Sequence, residues 1–201
     1  MIVGDKTLFA IESKITRAYK HPGIRALGYF TLHIGGRRYG VCESDATLLA
    51  CALDQVEERL SRRGTHTAPF SSAPQAGDIR DAILEAIYSP DPKRDRFFGL
   101  PISGFSDFVY SSRCEWHRGC DEAFDDGSAI LHFDVCDRVR LIADKGIKQP
   151  FDWRHDPETL CDFWISATDF YKILEGWRDA FLAEWKQAPK IHEDDITIPD
   201  A

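Results

Sequence analysis

Two thiols flanking an imidazole are the densest chemical signal in this chain, in the run Cys114-Glu115-Trp116-His117-Arg118-Gly119-Cys120, with His132 and Cys136 a short distance on. Tetrahedral zinc takes four such ligands, but structural sites show a tight Cys-x₂₋₄-Cys knuckle paired with a second one. Here five residues separate the thiols and no second knuckle follows, so ordinary loop or core thiols are the simpler reading. The same three residues, Cys114, His117 and Cys120, define an alternative: a small thiol- or zinc-dependent enzyme in which the imidazole activates a thiolate. Seven His and six Cys make such a pairing easy by chance, and Cys-x-x-Cys, His-Glu-x-x-His and Gly-x-Ser-x-Gly do not occur. No catalytic residue, metal ligand or cofactor is assigned, and the chain is not expected to be an enzyme.

A second cluster is built of acids. Asp121-Glu122-Ala123-Phe124-Asp125-Asp126-Gly127 packs four carboxylates and one aromatic ring into seven residues. The carboxylates do not follow the alternate-position pattern of an EF-hand, so a solvated turn is favoured over a calcium loop. They could also serve a protein partner. In that reading Phe124 is the anchor, and Glu115, Asp121, Glu122, Asp125 and Asp126 face Lys or Arg side chains.

Charge as a whole agrees with a basic partner. The formal net charge is −8; residues 1–100 hold 14 Lys or Arg against 12 Asp or Glu, and residues 101–201 hold 11 against 21. An acidic field repels nucleic acid phosphates and speeds encounter with cations, so nucleic acid is not an expected partner. Gly35-Gly36-Arg37-Arg38-Tyr39 has no helix placed to aim amides at a phosphate and reads as a hairpin turn. Arg59, Arg62 and Arg63 fall at the end of a helix, where cations suit the dipole.

These residues must be positioned by elements whose periodicity is legible. Phe9, Ile11 and Ile15 alternate within residues 7–15, as do Phe30, Leu32 and Ile34 within 25–34; with Gly35-Gly36 and a returning strand through Tyr39 and Val41 they predict a three-stranded meander. Leu49, Leu53, Val56 and Leu60 recur at helical spacing after Ser44 or Asp45 as N-cap and before Gly64. A shorter helix starts at Asp78 and stops before Pro90. The stretch 89–127 is irregular, with a strand expected near Phe105–Ser111. Strands follow at 128–135, 138–145 and 160–165. Ser166 then caps a long helix whose stripe is Phe170, Leu174, Trp177, Phe181 and Trp185, closed by Pro189.

The expected class is therefore α+β, with a largely antiparallel sheet packed by a long C-terminal amphipathic helix and two shorter helices. Residues 1–201 read as a single domain, with an acidic tail at 190–201 that is expected to fray. No apolar run approaches the ~20 residues that span a bilayer. The start lacks a basic segment followed by a long apolar one, so a cytoplasmic location is expected and no membrane partner. Oligomeric state is left open by the sequence.

The opening Ile2-Val3-Gly4-Asp5-Lys6-Thr7-Leu8-Phe9-Ala10-Ile11-Glu12 resembles the start of the Immunity protein 42 family, in which a short apolar-Gly-Asp segment runs into a strand. Gly35-Gly36, the Trp164-Ile165-Ser166 boundary and the aromatic helix with Phe170-Tyr171 and Trp177 fit the same outline, while residues 64–127 lie outside it. The resemblance implies a cytosolic immunity protein of a bacterial polymorphic-toxin or contact-dependent inhibition system that binds one cognate toxin domain. Its partner on this reading is a protein, with a basic nuclease suited to the acidic half. A structural subunit of a larger assembly is the other alternative. Gly4-Asp5 itself reads as a structural turn, with glycine at a special backbone angle and Asp capping nearby amides, rather than as part of a toxin-contacting surface.

Overall fold

The computed structural model describes residues 1–116, 121–146 and 156–191. Chain order is β1 (Ile2–Gly4), β2 (Phe9–Tyr19), β3 (Ala26–Ile34), β4 (Arg37–Tyr39), β5 (Thr47–Leu48), α1 (Leu49–Ser61), α2 (Ala76–Ile83), β6 (Arg96–Phe97), β7 (Leu100–Pro101), α3 (Ile102–Ser112), β8 (Ser128–Val135), β9 (Arg138–Lys145), β10 (Cys161–Ser166), α4 (Ala167–Gln187) and β11 (Lys190–Ile191). The fold is α+β.

The first sheet runs β1-β2-β3-β4 in antiparallel order, with β5 paired to β3 and β11 paired in parallel to β2. Alternation puts Phe9, Ile11, Phe30, Leu32 and Ile34 on one buried face. The Gly35-Gly36 turn has positive φ at both residues, +57° and +79°, and closes the β3–β4 hairpin at the Ile34↔Arg37 pair. A separate sheet of order β10-β9-β8 is also antiparallel and sits between two cores. Its residues Ile130, Val139, Leu141 and Ala143 join the first sheet, α1 and α4 in one core. On its other face, Leu131, Phe133 and Ile142 pack with α2, α3 and Phe97.

Helix α4 is the beam across the first core. Ser166 accepts a hydrogen bond from the Asp169 amide at 3.0 Å, as its capping position requires. Phe170 meets Phe9 at 5.0 Å between ring centroids and Trp177 meets Phe30 at 5.1 Å, while the Trp177 indole donates to Ser13 Oγ at 2.9 Å. Each such ring withdraws roughly 2–3 kcal/mol worth of apolar surface from water.

The returning strand stops at Tyr39, with the Val41 amide donating to Ala123 O instead, and among the described residues three helices shorter than α4 form where two were expected. Two further expectations fail, each for a readable reason. Helix α1 starts at Leu49 and not at Ser44 or Asp45, because Asp45 is engaged by Thr16 and by Arg17 at 2.9 Å, and Thr47–Leu48 pair with β3 first. Residues 105–111 are helical in α3 and not a strand. Ile102, Phe105, Val109 and Ser112 follow helical spacing, with the last three buried, although Gly104 and the serines dilute the pattern. The segment Ala76–Ile83 continues as a π-helical turn through Tyr88. At the C-terminal end Lys190–Ile191 pair with Ala18–Tyr19, and residues 192–201 lie outside the described residues.

Candidate functional site

The Cys114 segment is drawn inward by the sheet. The Trp116 amide donates to Ile130 O at 2.8 Å and the His132 amide to Cys114 O at 2.7 Å, so residues 114–116 lie along β8 as an added edge. Cys114 is buried, and burial pushes its thiol pKa up to about 12, the opposite of an activated nucleophile. Glu115 is 2% exposed; its carboxylate accepts from the Tyr88 hydroxyl at 2.9 Å and its carbonyl from Arg59 at 3.0 Å. A surface role for Glu115 is thus corrected by its placement. His117 and Cys120 lie outside the described residues. Among the described residues, no three His, Cys, Asp or Glu side chains converge as a metal site.

The acidic loop divides by exposure. Asp121–Phe124 form a 3₁₀ turn whose Ala123 carbonyl accepts the Val41 amide at 2.8 Å. Phe124 is 5% exposed and packs edge-on to Phe30 at 6.5 Å, so it anchors the loop to the core and cannot be an anchor for a partner in this arrangement. Burial works to raise the Asp126 pKa, but hydrogen bonds from Lys145 (2.7 Å) and Ser128 outweigh it and hold the carboxyl below its ordinary range. Glu122 and Asp125 remain exposed. Glu122 and Asp54 of α1 both act on the Cys51 thiol, which burial first and these two carboxylates second push upward. With exposed Glu57 on α1 and Glu175 and Asp179 on α4, which surround Arg178 and of which Asp179 pairs with it at 2.8 Å, they make an acidic ridge along α1 and α4.

On the other flank of α4 lies a groove of ≈ 720 Å³. Its floor is a second stripe of α4, Asp169, Lys172, Ile173 and Gly176, at i, i+3, i+4 and i+7. Its walls are residues 3–5 with 8–9, around the β1–β2 turn, and residues 163–166 of β10. Gly176 lets β1 approach α4 closely at the edge of the floor: a Cβ there would stand 3.2 Å from Val3 Cγ1. The Gly4-Asp5 turn behaves as its residues predict. Gly4 has φ +103°, where a Cβ would lie 2.4 Å from Phe9 O, and Asp5 accepts from the Thr7 amide (2.8 Å) and hydroxyl (2.6 Å), which hold its carboxyl below the usual range. Sequence reasoning found the turn but missed the groove. The available signal was Gly176 inside an otherwise strong helix.

The family described as Immunity protein 42 matches residues 1–180. The chain belongs to the Immunity protein 42 family. The match runs through residues 64–127, where local motifs gave no purchase. Among solved structures, CdiI from Burkholderia dolosa AUO158 is similar to this Immunity protein 42 chain with a TM-score of 0.55 and 14% identity, over 90% of this chain and 99% of that one; at that identity the likeness is one of fold. No curated protein matches.

Inside this Immunity protein 42 member, between the two cores, lies a polar seam that the sequence did not announce. His66 and His132 stand 4.5 Å apart by ring centroids, and the Tyr171 hydroxyl donates to Asp134 at 2.8 Å. The His66 amide also donates to Asp134, at 3.1 Å, and His66 Nδ1 lies 2.9 Å from Ser112 O. His132 Nε2 is 3.5 Å from Asp134, too far for a strong hydrogen bond, and burial pushes its pKa down to about 3. The alternation of β8 gave a hint, because His132 falls on the same face as Ile130. Toxin neutralisation is the function that belongs to an immunity protein, and a protein is its partner.

Proposed function

We propose that this protein neutralises one cognate bacterial toxin domain in the cytoplasm by binding it, without catalysis, and that the acidic ridge guides the encounter. Membership of the Immunity protein 42 family over residues 1–180 is the observation that carries the reading. The ridge supports its electrostatic half: exposed Glu122, Asp125, Asp54 and Glu57 face solvent in a chain of net charge −8, a field that suits a basic partner such as a nuclease. Of the acids first singled out, Glu122 and Asp125 are retained as contact residues, and Asp121 stays with them as a member of the same turn. Asp126 contributes through its pairing with Lys145. Among the described residues no helix is long and apolar enough to cross a membrane.

The test is co-expression with candidate toxin domains, beginning with any that is encoded next to this gene. Host survival together with a co-purifying complex is the expected result; survival without any complex would argue against neutralisation by binding. In the purified pair, Glu122→Lys with Asp125→Lys should slow association roughly tenfold at low salt and leave dissociation nearly unchanged. An unaltered association rate would remove the ridge from the mechanism.

A further inference from the structure

We propose that the groove between β1 and β10 is the slot in which an extended, cation-bearing segment of the toxin docks, adding its backbone to the open edge of β10. The inference rests on the neutralisation reading above and names the partner's recognition element. Among the described residues β10 pairs with β9 alone and β1 with β2 alone, so each presents an unpaired edge to the same groove. A helix satisfies its own amides and has no use for such edges, whereas an extended segment completes them, its alternate side chains entering the groove.

The groove's chemistry fits one such segment. Its walls and floor are apolar at Phe9, Phe163, Ile165 and Ile173, and Leu8 on the wall stands 53% exposed next to β1, whose Ile2 is 52% exposed. Among the described residues its charged groups are two carboxylates and one ammonium. Asp5 is held ionised by Thr7, Asp169 accepts the Ser166 hydroxyl at 3.0 Å, and the ammonium is that of Lys172. Apolar residues alternating with Lys or Arg complement that lining. Beside the wall at Leu8, the Gly35 amide donates to Leu8 O at 2.7 Å, and a Cβ at Gly35 would stand 3.5 Å from the Phe163 ring. The β11 strand does not fill the slot: it joins β2 at Ala18–Tyr19, the end opposite Phe9.

Amide hydrogen exchange of the full chain, alone and with an inactivated form of the toxin domain that it neutralises in the co-expression test, tests this directly, alongside the affinities of Leu8→Lys and Lys172→Glu. Both positions are exposed and neither substitution disturbs a core contact. Toxin should protect amides in residues 2–5 and 163–166; Leu8→Lys should weaken binding roughly tenfold and Lys172→Glu should tighten it severalfold. Wild-type binding and host rescue with those amides unprotected and both variants unchanged would overturn the groove while leaving neutralisation standing. Wild-type protein that binds no toxin would overturn neutralisation, and the slot with it. Protection that appears without toxin and grows with protein concentration would assign the groove to a second copy of this chain and also overturn the proposal.

Discussion

His132 is wholly enclosed, with the His66 ring on one side and Phe170, 4.7 Å away by centroids, on another. Burial holds its pKa near 3 in the folded protein, against ~6.5 in an unfolded chain. Between those values the unfolded chain binds a proton that the folded one refuses, so stability falls as pH falls through that window, by up to about 1.4 kcal/mol per unit. His66, also lowered by burial, acts in the same direction. Urea unfolding at pH 7 and pH 5 should show this loss, and His132→Gln should reduce its slope; equal slopes would mean the seam is open to protons when folded. The depressed carboxyls of Asp126 and Asp134 act in a separate window, since their contribution is present at neutral pH and is lost only below ~4. Phe124 makes a different residue-scale prediction. Phe124→Ala should cost about 3–5 kcal/mol of stability, because the ring fills the space beside Phe30.

Elements explain which residue readings could be right. Capping of α4 by Ser166 and its aromatic stripe are local facts, set by a hydroxyl at one position and large apolar groups at i, i+4 and i+7, so the sequence displays them openly. Helix α3 was hidden for an equally local reason. Gly104, Ser103 and Ser106 interrupt its apolar face with residues that favour turns, and packing of Phe105 and Val109 against β8 and β9 supplies the missing preference. Gly104 therefore lowers the helix's intrinsic stability. A Cβ there would meet only Pro101 at 3.6 Å, ordinary contact, so Gly104→Ala should raise stability by about 0.5–1 kcal/mol in denaturant unfolding. A strand at this place would gain nothing from that substitution.

At the scale of the whole molecule, α4 divides two surfaces. Arg178 lies beside Glu57 of α1 on the ridge flank, and Gly176 lies beside Val3 of β1 on the groove flank. A toxin that uses both would straddle the helix, with long-range attraction from the ridge and short-range seating in the groove. Rate and affinity should then separate. Raising ionic strength from about 0.01 M to 0.15 M shortens the screening length from ~30 Å to ~8 Å and should slow association far more than it speeds dissociation. Stopped-flow association and dissociation across that salt range would check the division; salt effects confined to dissociation would contradict it.

Local order in this protein was written in the sequence: the β2–β3–β4 meander, the β8–β9 pair, the capped aromatic helix, the Gly4-Asp5 turn and the family they belong to. Each depends on neighbours a few residues apart, where backbone angles and alternation act directly. Tertiary structure decided the rest. Only packing could show that Phe124 and Glu115 turn inward while Glu122 and Asp125 stay in water, that Asp45 serves β2 rather than a helix start, and that β1 and β10, about 160 residues apart, open onto one groove. Burial and edge pairing are set by what the rest of the chain brings alongside, and no spacing within a short segment encodes that.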